Sequence, residues 1–135
     1  MTYLLDTNAV IDILSHPQSA PSKRLRELPP AEVALSAVVI HELYYGAYKS
    51  ARRDENVAVL DALQFVTLEL DREDTQSAAE IRAHLSRLGQ TIGPYDVLIA
   101  GQARARGLTL VTHNRREFER VPGLMIEDWW DVPPT

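Results

Sequence analysis

Three acidic residues of this chain stand where predicted strands end or predicted helices begin. Asp6 directly follows the apolar run 3–5, Glu42 lies in the first turns of a predicted helix, and Asp96 lies in the first turn of a helix that a proline opens. Carboxylates are hard oxygen ligands of the kind that Mg²⁺ and Mn²⁺ prefer. Such ions can activate water and stabilise both oxygens of an in-line phosphoryl displacement. The three acids are therefore candidate ligands of a catalytic metal site.

Polar residues beside these acids extend the candidate site. Asn8 follows Asp6 closely, and Thr112 and Asn114 follow another predicted strand. Each polar or acidic residue alone could be a helix cap or a dipole-complementing group. Their convergence on one sheet edge favours a site instead. Glu117 could add a nearby carboxylate, although its position is more typical of an exposed helix residue.

Two histidines offer a metal-free alternative, in which they would act as general acid and base. His41 precedes Glu42, and His113 lies between Thr112 and Asn114. Adjacent helix residues face different directions, so His41 should point away from Glu42. Four histidines in a domain of this size need no catalytic explanation, which favours the metal site.

The elements that must position these residues alternate along the chain. Strands are predicted at 3–5, 33–36, 65–70, 108–112 and 124–127. Helices are predicted at 9–14, 21–28, around 39–44, 54–63, 71–88, 94–107 and 115–119. Asp71 is a good N-cap, Pro94 suits a first turn, and Gly89 and Gly107 suit helix ends. The alternation predicts an α/β fold, a three-layer α/β/α sandwich around a mainly parallel sheet.

The composition agrees with one globular domain spanning residues 1–135, with 45% hydrophobic and 24% charged residues. The chain has no cysteine, which excludes disulfides and thiolate metal sites. No apolar run approaches the ~20 residues of a membrane span, so we expect a cytoplasmic protein without a membrane partner. The net charge of −5 argues mildly against a nucleic-acid substrate. Acids concentrated around a bound cation would weaken that argument.

Several runs together resemble one known family. Residues 5–8, followed by 10–12, look like the opening of a PIN domain. Residues 36–46 are similar to the second motif of that family, whose glutamate is a metal ligand, and 96–100 resemble the third, with Asp96 as its aspartate. Residues 110–114, 117–118 and 121–124 look like the C-terminal segment of the VapC type. The match covers essentially the whole chain in the right order.

This resemblance implies a PIN fold and endoribonuclease activity with Mg²⁺, for which Mn²⁺ can substitute. It implies Asp6, Glu42 and Asp96 as metal ligands and, with Asn114, as the catalytic set. It further implies the toxin of a type II toxin–antitoxin system that inhibits translation, a homodimer, and a cognate VapB-type antitoxin that blocks the site. Operator DNA would be contacted only through the antitoxin. A tRNA anticodon stem-loop is the leading substrate.

One position departs from the family pattern. Many members carry an aspartate where this chain has Asn114, which can offer a carbonyl oxygen or hold a water but adds no charge. Both one and two metal ions therefore remain open at this point.

Two other classes of protein compete with this interpretation. A phosphoacceptor receiver domain would need a lysine after its last strand, and the chain has no lysine beyond Lys49. A non-catalytic interaction protein would fit the missing fourth acid. It would not explain three retained carboxylates, because holding them close together without a cation is costly.

Overall fold

The computed structural model describes residues 1–130, in which five strands alternate with helices. The strands are β1 (Tyr3–Leu5), β2 (Val33–Ser36), β3 (Val66–Leu68), β4 (Thr109–Val111) and β5 (Met125–Glu127). The helices are α1 (Thr7–Ser15), α2 (Ala20–Arg26), α3 (Ala37–Tyr48), α4 (Arg53–Asp61), α5 (Arg72–Arg87), α6 (Pro94–Ala105) and α7 (Arg115–Phe118). A short 3₁₀ turn, Pro30–Glu32, precedes β2. The last five residues of the predicted domain, 131–135, lie outside the described part.

The five strands form one sheet in the order β3-β2-β1-β4-β5, and every neighbouring pair is parallel. Leu4 of β1 pairs with Ala34 on one side and with Leu110 on the other, and all three are fully buried. A parallel sheet buried in this way must be covered on both faces by helices. The predicted three-layer α/β/α sandwich is confirmed, and the sheet is wholly rather than mainly parallel.

The strand order reverses at the junction of β1 and β4, which are neighbours in the sheet although their paired residues Leu5 and Val111 lie 106 positions apart in the sequence. A junction of this kind opens a crevice at the carboxyl ends of the strands, which is where ligands gather in open parallel sheets.

Helices α5 and α6 pack against each other as an antiparallel pair. Gly101 makes this close approach possible, because a Cβ there would lie 2.5 Å from the backbone nitrogen of Ala78. At one end of the pair, the buried carboxylate of Asp74 accepts hydrogen bonds from Gln102 and Arg106. These contacts join the start of α5 to the end of α6.

The predicted helix caps are confirmed. Asp71 and Asp74 form a reciprocal capping box at the start of α5, and Pro94 occupies the first turn of α6. Gly89 and Gly107 both adopt a φ of 65°, in the left-handed region that suits glycine. These signals were readable in the sequence because each acts within a few residues.

Some predicted bounds were wrong. Helix α1 begins at Thr7 rather than at residue 9, because Asp6 caps it directly. The strands predicted at 65–70 and 108–112 contain only Val66–Leu68 and Thr109–Val111. β3 is an edge strand with β2 as its sole partner in the described sheet, so its apolar flanks extend beyond the paired region.

Within residues 1–130, no helix combines the length and the apolar character that crossing a membrane requires.

Candidate active site

Asp6 leaves the end of β1 and enters the crevice at the carboxyl edge of the sheet. Its Oδ1 accepts a hydrogen bond from the backbone N–H of Ala9 at 2.8 Å. The Asp6 carboxylate therefore caps α1 and also lies in the candidate site. Only 5% of the residue is exposed. Burial raises the pKa of this carboxyl, and the charge of Glu42 raises it further, while hydrogen bonds from Thr112 and Ala9 and the charge of His113 lower it.

Thr112 holds Asp6 from the neighbouring strand. It directly follows β4 and is fully buried, and its hydroxyl hydrogen-bonds to the Asp6 carboxyl. The same oxygen, Oγ1, accepts the backbone N–H of Asn114 at 2.9 Å. The ends of β1 and β4 are tied together as well, since the N–H of Asp6 donates to the carbonyl of Val111 at 3.1 Å. Thr112 thus links Asp6 to the backbone of Asn114 through one hydroxyl group.

Glu42 reaches the site from the second turn of α3. Its Oε1 accepts a hydrogen bond from the hydroxyl of Thr7 at 2.8 Å. Thr7 was not among the predicted site residues, although it stands in the polar run that directly follows β1. The contact fixes the rotamer of a carboxylate on α3 from the first residue of α1.

Asp96 lies in the first turn of α6 and completes the predicted acidic set. Its pKa is raised to about 6, first by burial and then by the negative charges of Glu117, Glu42 and Asp6. Burial and these negative charges both disfavour the ionised form of the Asp96 carboxyl. The structure therefore brings the three predicted acids together at one edge of the sheet.

Glu117 also belongs to this cluster, and its interpretation as an exposed helix residue was wrong. Its Oε1 accepts the backbone N–H of Gly93 at 3.0 Å, and its Oε2 accepts the side-chain amide of Asn114 at 2.7 Å. The residue is half-buried, and its charge acts on Asp96. Glu117 lies in the four-residue helix α7. Asn114 is exposed and orients Glu117 through its amide group.

The donor set fits a hard divalent cation with an open coordination sphere. Within residues 1–130, no group of three or more acidic or histidine side chains is already arranged so that it could hold a metal ion by itself. Mg²⁺ does not require one, because it binds through one or two carboxylates and completes its sphere with water and substrate phosphate oxygens. A cation held by Asp6, Asp96 and Glu42 would offset the burial and the repulsion that raise the pKa values of the two aspartates. Mn²⁺ prefers the same oxygen donors.

A cleft of about 520 Å³ opens beside Asp6, between α1 and the segment that follows β5. The residues lining it are Asp6, Asn8, Ile11, Asp12, Ser15, His16, His113, Asn114 and Trp130. Asn8 is exposed in the first turn of α1 and lines this cleft. A second groove of about 420 Å³ runs past Glu42 between α1, α3 and α4, and exposed Ile11, Leu14 and Val59 line it.

The two histidines near the acids are placed differently. His41 is exposed, and its ring lies 5.6 Å from that of Tyr95. His113 binds the carboxylate of Asp128 and packs on Trp130 at the mouth of the cleft. Trp129 is buried near the end of the described residues, whereas Trp130 reaches the cleft.

Known proteins resemble the chain over nearly its whole length. The PIN domain family matches residues 3–124. The tRNA(fMet)-specific endonuclease VapC of Salmonella typhimurium is 42% identical over 96% of this chain and 98% of that protein. Ribonuclease VapC2 of Haemophilus influenzae is 39% identical over the same shares of the two chains, 96% and 98%.

Solved structures agree with this relationship. DNA-bound VapBC from Salmonella typhimurium superposes with a TM-score of 0.88 at 39% identity, covering 96% of this chain and 98% of that chain. VapBC2 from Rickettsia felis, bound to a DNA fragment from its promoter, gives a TM-score of 0.87 at 35% identity, with shares of 96% and 99%. The acids at the sheet edge, the order of the strands and these matches lead to one conclusion: the chain belongs to the PIN-domain family, as a member of its VapC type.

Proposed function

We propose that this VapC-type protein is a metal-dependent endoribonuclease and the toxin of a toxin–antitoxin pair. The observation that carries the proposal is the set of mutually repelling carboxylates of Asp6, Glu42, Asp96 and Glu117 at one sheet edge. Natural proteins keep such a cluster where a cation offsets the repulsion. The VapC relatives bear the names ribonuclease and endonuclease, which supports the same activity here.

Each residue of the site has a defined task in this proposal. Asp6, Asp96 and Glu42 would hold Mg²⁺ or Mn²⁺, and Thr112 and Thr7 orient Asp6 and Glu42 respectively. The ion, when bound, supplies an activated water and neutralises charge that develops on the phosphodiester. Buried hydrogen bonds pre-orient the carboxylates, so little reorganisation is needed when RNA binds.

Glu117 would take the role of the acid that the family pattern places at Asn114. Asn114 contributes no charge, but its amide donates to Oε2 of Glu117 and holds that carboxylate near Asp96. Glu117, three residues after Asn114, thereby supplies a fourth carboxylate to the site. This arrangement supplies enough negative charge for a second cation when substrate phosphate joins the site.

The proposed substrate is a structured RNA loop, above all a tRNA anticodon stem-loop, whose cleavage would stop translation in the cytoplasm. Two relatives of the chain are named tRNA(fMet)-specific endonucleases. A net charge of −5 disfavours tight binding to RNA of any sequence, since that binding comes mostly from phosphate contacts. Folded RNA instead presents unstacked bases that shape and stacking can select.

The proposed partner is a VapB-type antitoxin that covers the active site, with operator DNA bound through the antitoxin. Structures similar to this chain are VapBC assemblies, two of them with DNA. The groove beside Glu42 exposes Ile11, Leu14 and Val59, which gives an antitoxin segment apolar surface next to the acids. Co-expression with a VapB-type antitoxin should yield a stable, inactive complex.

We also propose a homodimer, with α3 at its interface. Tyr45 and Tyr48 of α3 and Tyr95 of α6 are about half exposed, more than large aromatic side chains usually are. Lys49 and Arg53 lie over the rings of Tyr45 and Tyr48. Light scattering should report a dimer at micromolar concentration, and a monomer would contradict this proposal.

The activity is tested by incubating purified protein with a tRNA pool in Mg²⁺, in Mn²⁺ and in EDTA. We expect cleavage with either ion, none in EDTA, and none from Asp6→Asn. Undiminished cleavage in EDTA would overturn the metal mechanism and favour the histidines. Comparing the folded pool with the same RNA unfolded tests structural selectivity, which equal rates would exclude.

A further inference from the structure

We infer that the cleft beside Asp6 and Asn114 binds one unstacked nucleobase next to the scissile phosphate, with the ring of His113 as its stacking surface. The inference rests on the proposed ribonuclease function and names the part of the RNA that the cleft takes. The cleft volume of about 520 Å³ lies in the range of sites for small organic ligands.

His113 is exposed yet held in place. Its side chain is 66% exposed, while Nδ1 lies 3.1 Å from Oδ2 and 3.2 Å from Oδ1 of Asp128. Its ring packs on the indole of Trp130, with centroids 5.3 Å apart and planes 33° apart. An aromatic ring fixed on one side and open on the other can stack a base without first being ordered.

Trp130 is itself anchored on both sides of the cleft. Its Nε1 donates to Oδ2 of Asp12 on α1 at 2.6 Å, and its backbone N–H donates to Oδ1 of Asp128 at 2.9 Å. The same Asp12 binds Nδ1 of His16 at 2.8 Å. These bonds join the end of the described chain to α1, so the wall behind His113 is rigid.

The chemistry of the lining favours a base over a phosphate. Among the described residues that line the cleft there is no lysine or arginine, and two are aspartates, Asp6 and Asp12. Asp12, which holds no cation in the proposed function, repels a phosphate but tolerates a neutral, flat group. Ile11 adds exposed apolar surface, and the amides of Asn8 and Asn114 can donate to and accept from the edges of a base.

The position of the cleft identifies which base would enter it. Asp6 and Asn114 both line the cleft, and in the proposed function Asp6 holds the cation and Asn114 orients Glu117. A base in the cleft therefore belongs to a nucleotide that flanks the cleaved bond. Stacking there would splay the strand open at the reacting phosphate, as recognition of single-stranded RNA requires.

The test combines enzyme variants with RNA that lacks one base. An anticodon stem-loop with a mapped cleavage site is prepared intact and with an abasic nucleotide at either flanking position. kcat and KM are measured for the wild type, His113→Ala, His113→Phe and His84→Ala. His84 lies on α5, outside the cleft, and is the matched control.

We expect one abasic position to lower kcat/KM of the wild type roughly tenfold, mainly through KM, as the loss of one stacked base predicts. His113→Ala should lose a similar factor on intact RNA and lose little more on the abasic RNA. His113→Phe should recover most of that loss, because it keeps a ring. His84→Ala should behave as the wild type does.

Two outcomes would overturn the inference while the proposed function stands. The abasic penalty could be as large in His113→Ala as in the wild type, which would show that the base does not touch His113. Alternatively, His113→Phe could be as impaired as His113→Ala, with the loss in kcat, which would show that His113 acts through its ring nitrogens.

A binding measurement separates failure of the inference from failure of the proposed function. Asp96→Asn protein is titrated into the same stem-loop carrying 2-aminopurine at the flanking position, and its fluorescence is followed. Quenching that the additional substitution His113→Ala abolishes would support the subsite even if the wild type cleaved no RNA. Absence of quenching would overturn the inference, and absence of cleavage would overturn the proposed function.

Discussion

Replacing Asp96 by asparagine should make the metal-free protein more stable while abolishing RNA cleavage. Asp96 has a pKa of about 6, because burial and the charges of Glu117, Glu42 and Asp6 disfavour its ionised form. At pH 7.5 the folded protein must nevertheless hold this carboxylate charged. Asparagine has nearly the same shape and removes the charge, so it removes the repulsion as well.

The magnitude follows from the shift in the pKa. The difference between about 6 and 3.8 is about 2.2 pH units. At ~1.36 kcal/mol per unit, this corresponds to an upper bound of about 3 kcal/mol. Asp96 is only partly buried, so solvent screening reduces the expected gain in the free energy of unfolding to about 1–2 kcal/mol.

The dependence on pH has a definite sign. A carboxyl whose pKa is raised on folding binds more protons in the folded state, so its favourable contribution is complete below about pH 3.8 and is lost as the pH rises through about 6. The advantage of Asp96→Asn over the wild type should therefore be full above pH 6 and should shrink as the pH falls towards 4.

The assay is urea unfolding in EDTA at several values of pH, with RNA cleavage in Mg²⁺ measured alongside. Asp54→Asn is the matched control, since Asp54 is an exposed aspartate in the first turn of α4. It should lose about 0.3–1 kcal/mol of helix-dipole stabilisation and keep its activity. Added Mg²⁺ should stabilise the wild type more than Asp96→Asn.

An Asp96→Asn protein that is less stable than the wild type in EDTA would refute this electrostatic effect of Asp96. A stability gain that is the same at pH 4 and at pH 7.5 would refute it equally, because a charge effect must follow the titration. An Asp96→Asn protein that still cleaves RNA would remove Asp96 from the catalytic set.

Further substitutions test single contacts. Thr7→Val should lower kcat about tenfold, because Glu42 loses its 2.8 Å hydrogen bond, and Thr7→Ser should retain activity; equal rates for both would refute the positioning role. Glu117→Gln should raise the Mg²⁺ concentration needed for half-maximal cleavage about 10- to 100-fold, and an unshifted Mg²⁺ titration would exclude a metal-site role. Gly101→Ala should cost about 1–3 kcal/mol in unfolding, since its Cβ would lie 2.5 Å from the Ala78 backbone. Gly46→Ala, with open space around it, should gain up to ~1 kcal/mol, and similar melting temperatures for these two variants would contradict the packing argument.

Local signals in the sequence determined much of the fold. The alternation of apolar runs and helical patterns indicates a parallel sheet covered on both faces, because parallel strands need crossover connections. The caps Asp71, Gly89 and Gly107 were readable because a cap acts on backbone groups at most a few residues away. Asp6 was identifiable for the same reason, since it directly follows a buried strand.

Which residues come together in the site depended on contacts between distant segments of the chain. Only the tertiary structure decided those contacts. The hydrogen bond from Thr7 to Glu42 spans 35 positions, that from Gly93 to Glu117 spans 24, and that from Trp130 to Asp12 spans 118. No residue pattern signals such a pairing, because its partners meet only after the strands have taken their order in the sheet. The sequence thus determined which carboxylates follow which elements. The packing of α3, α6 and α7 around the ends of β1 and β4 decided that Glu117 faces Asp96 and that His113 and Trp130 line the cleft.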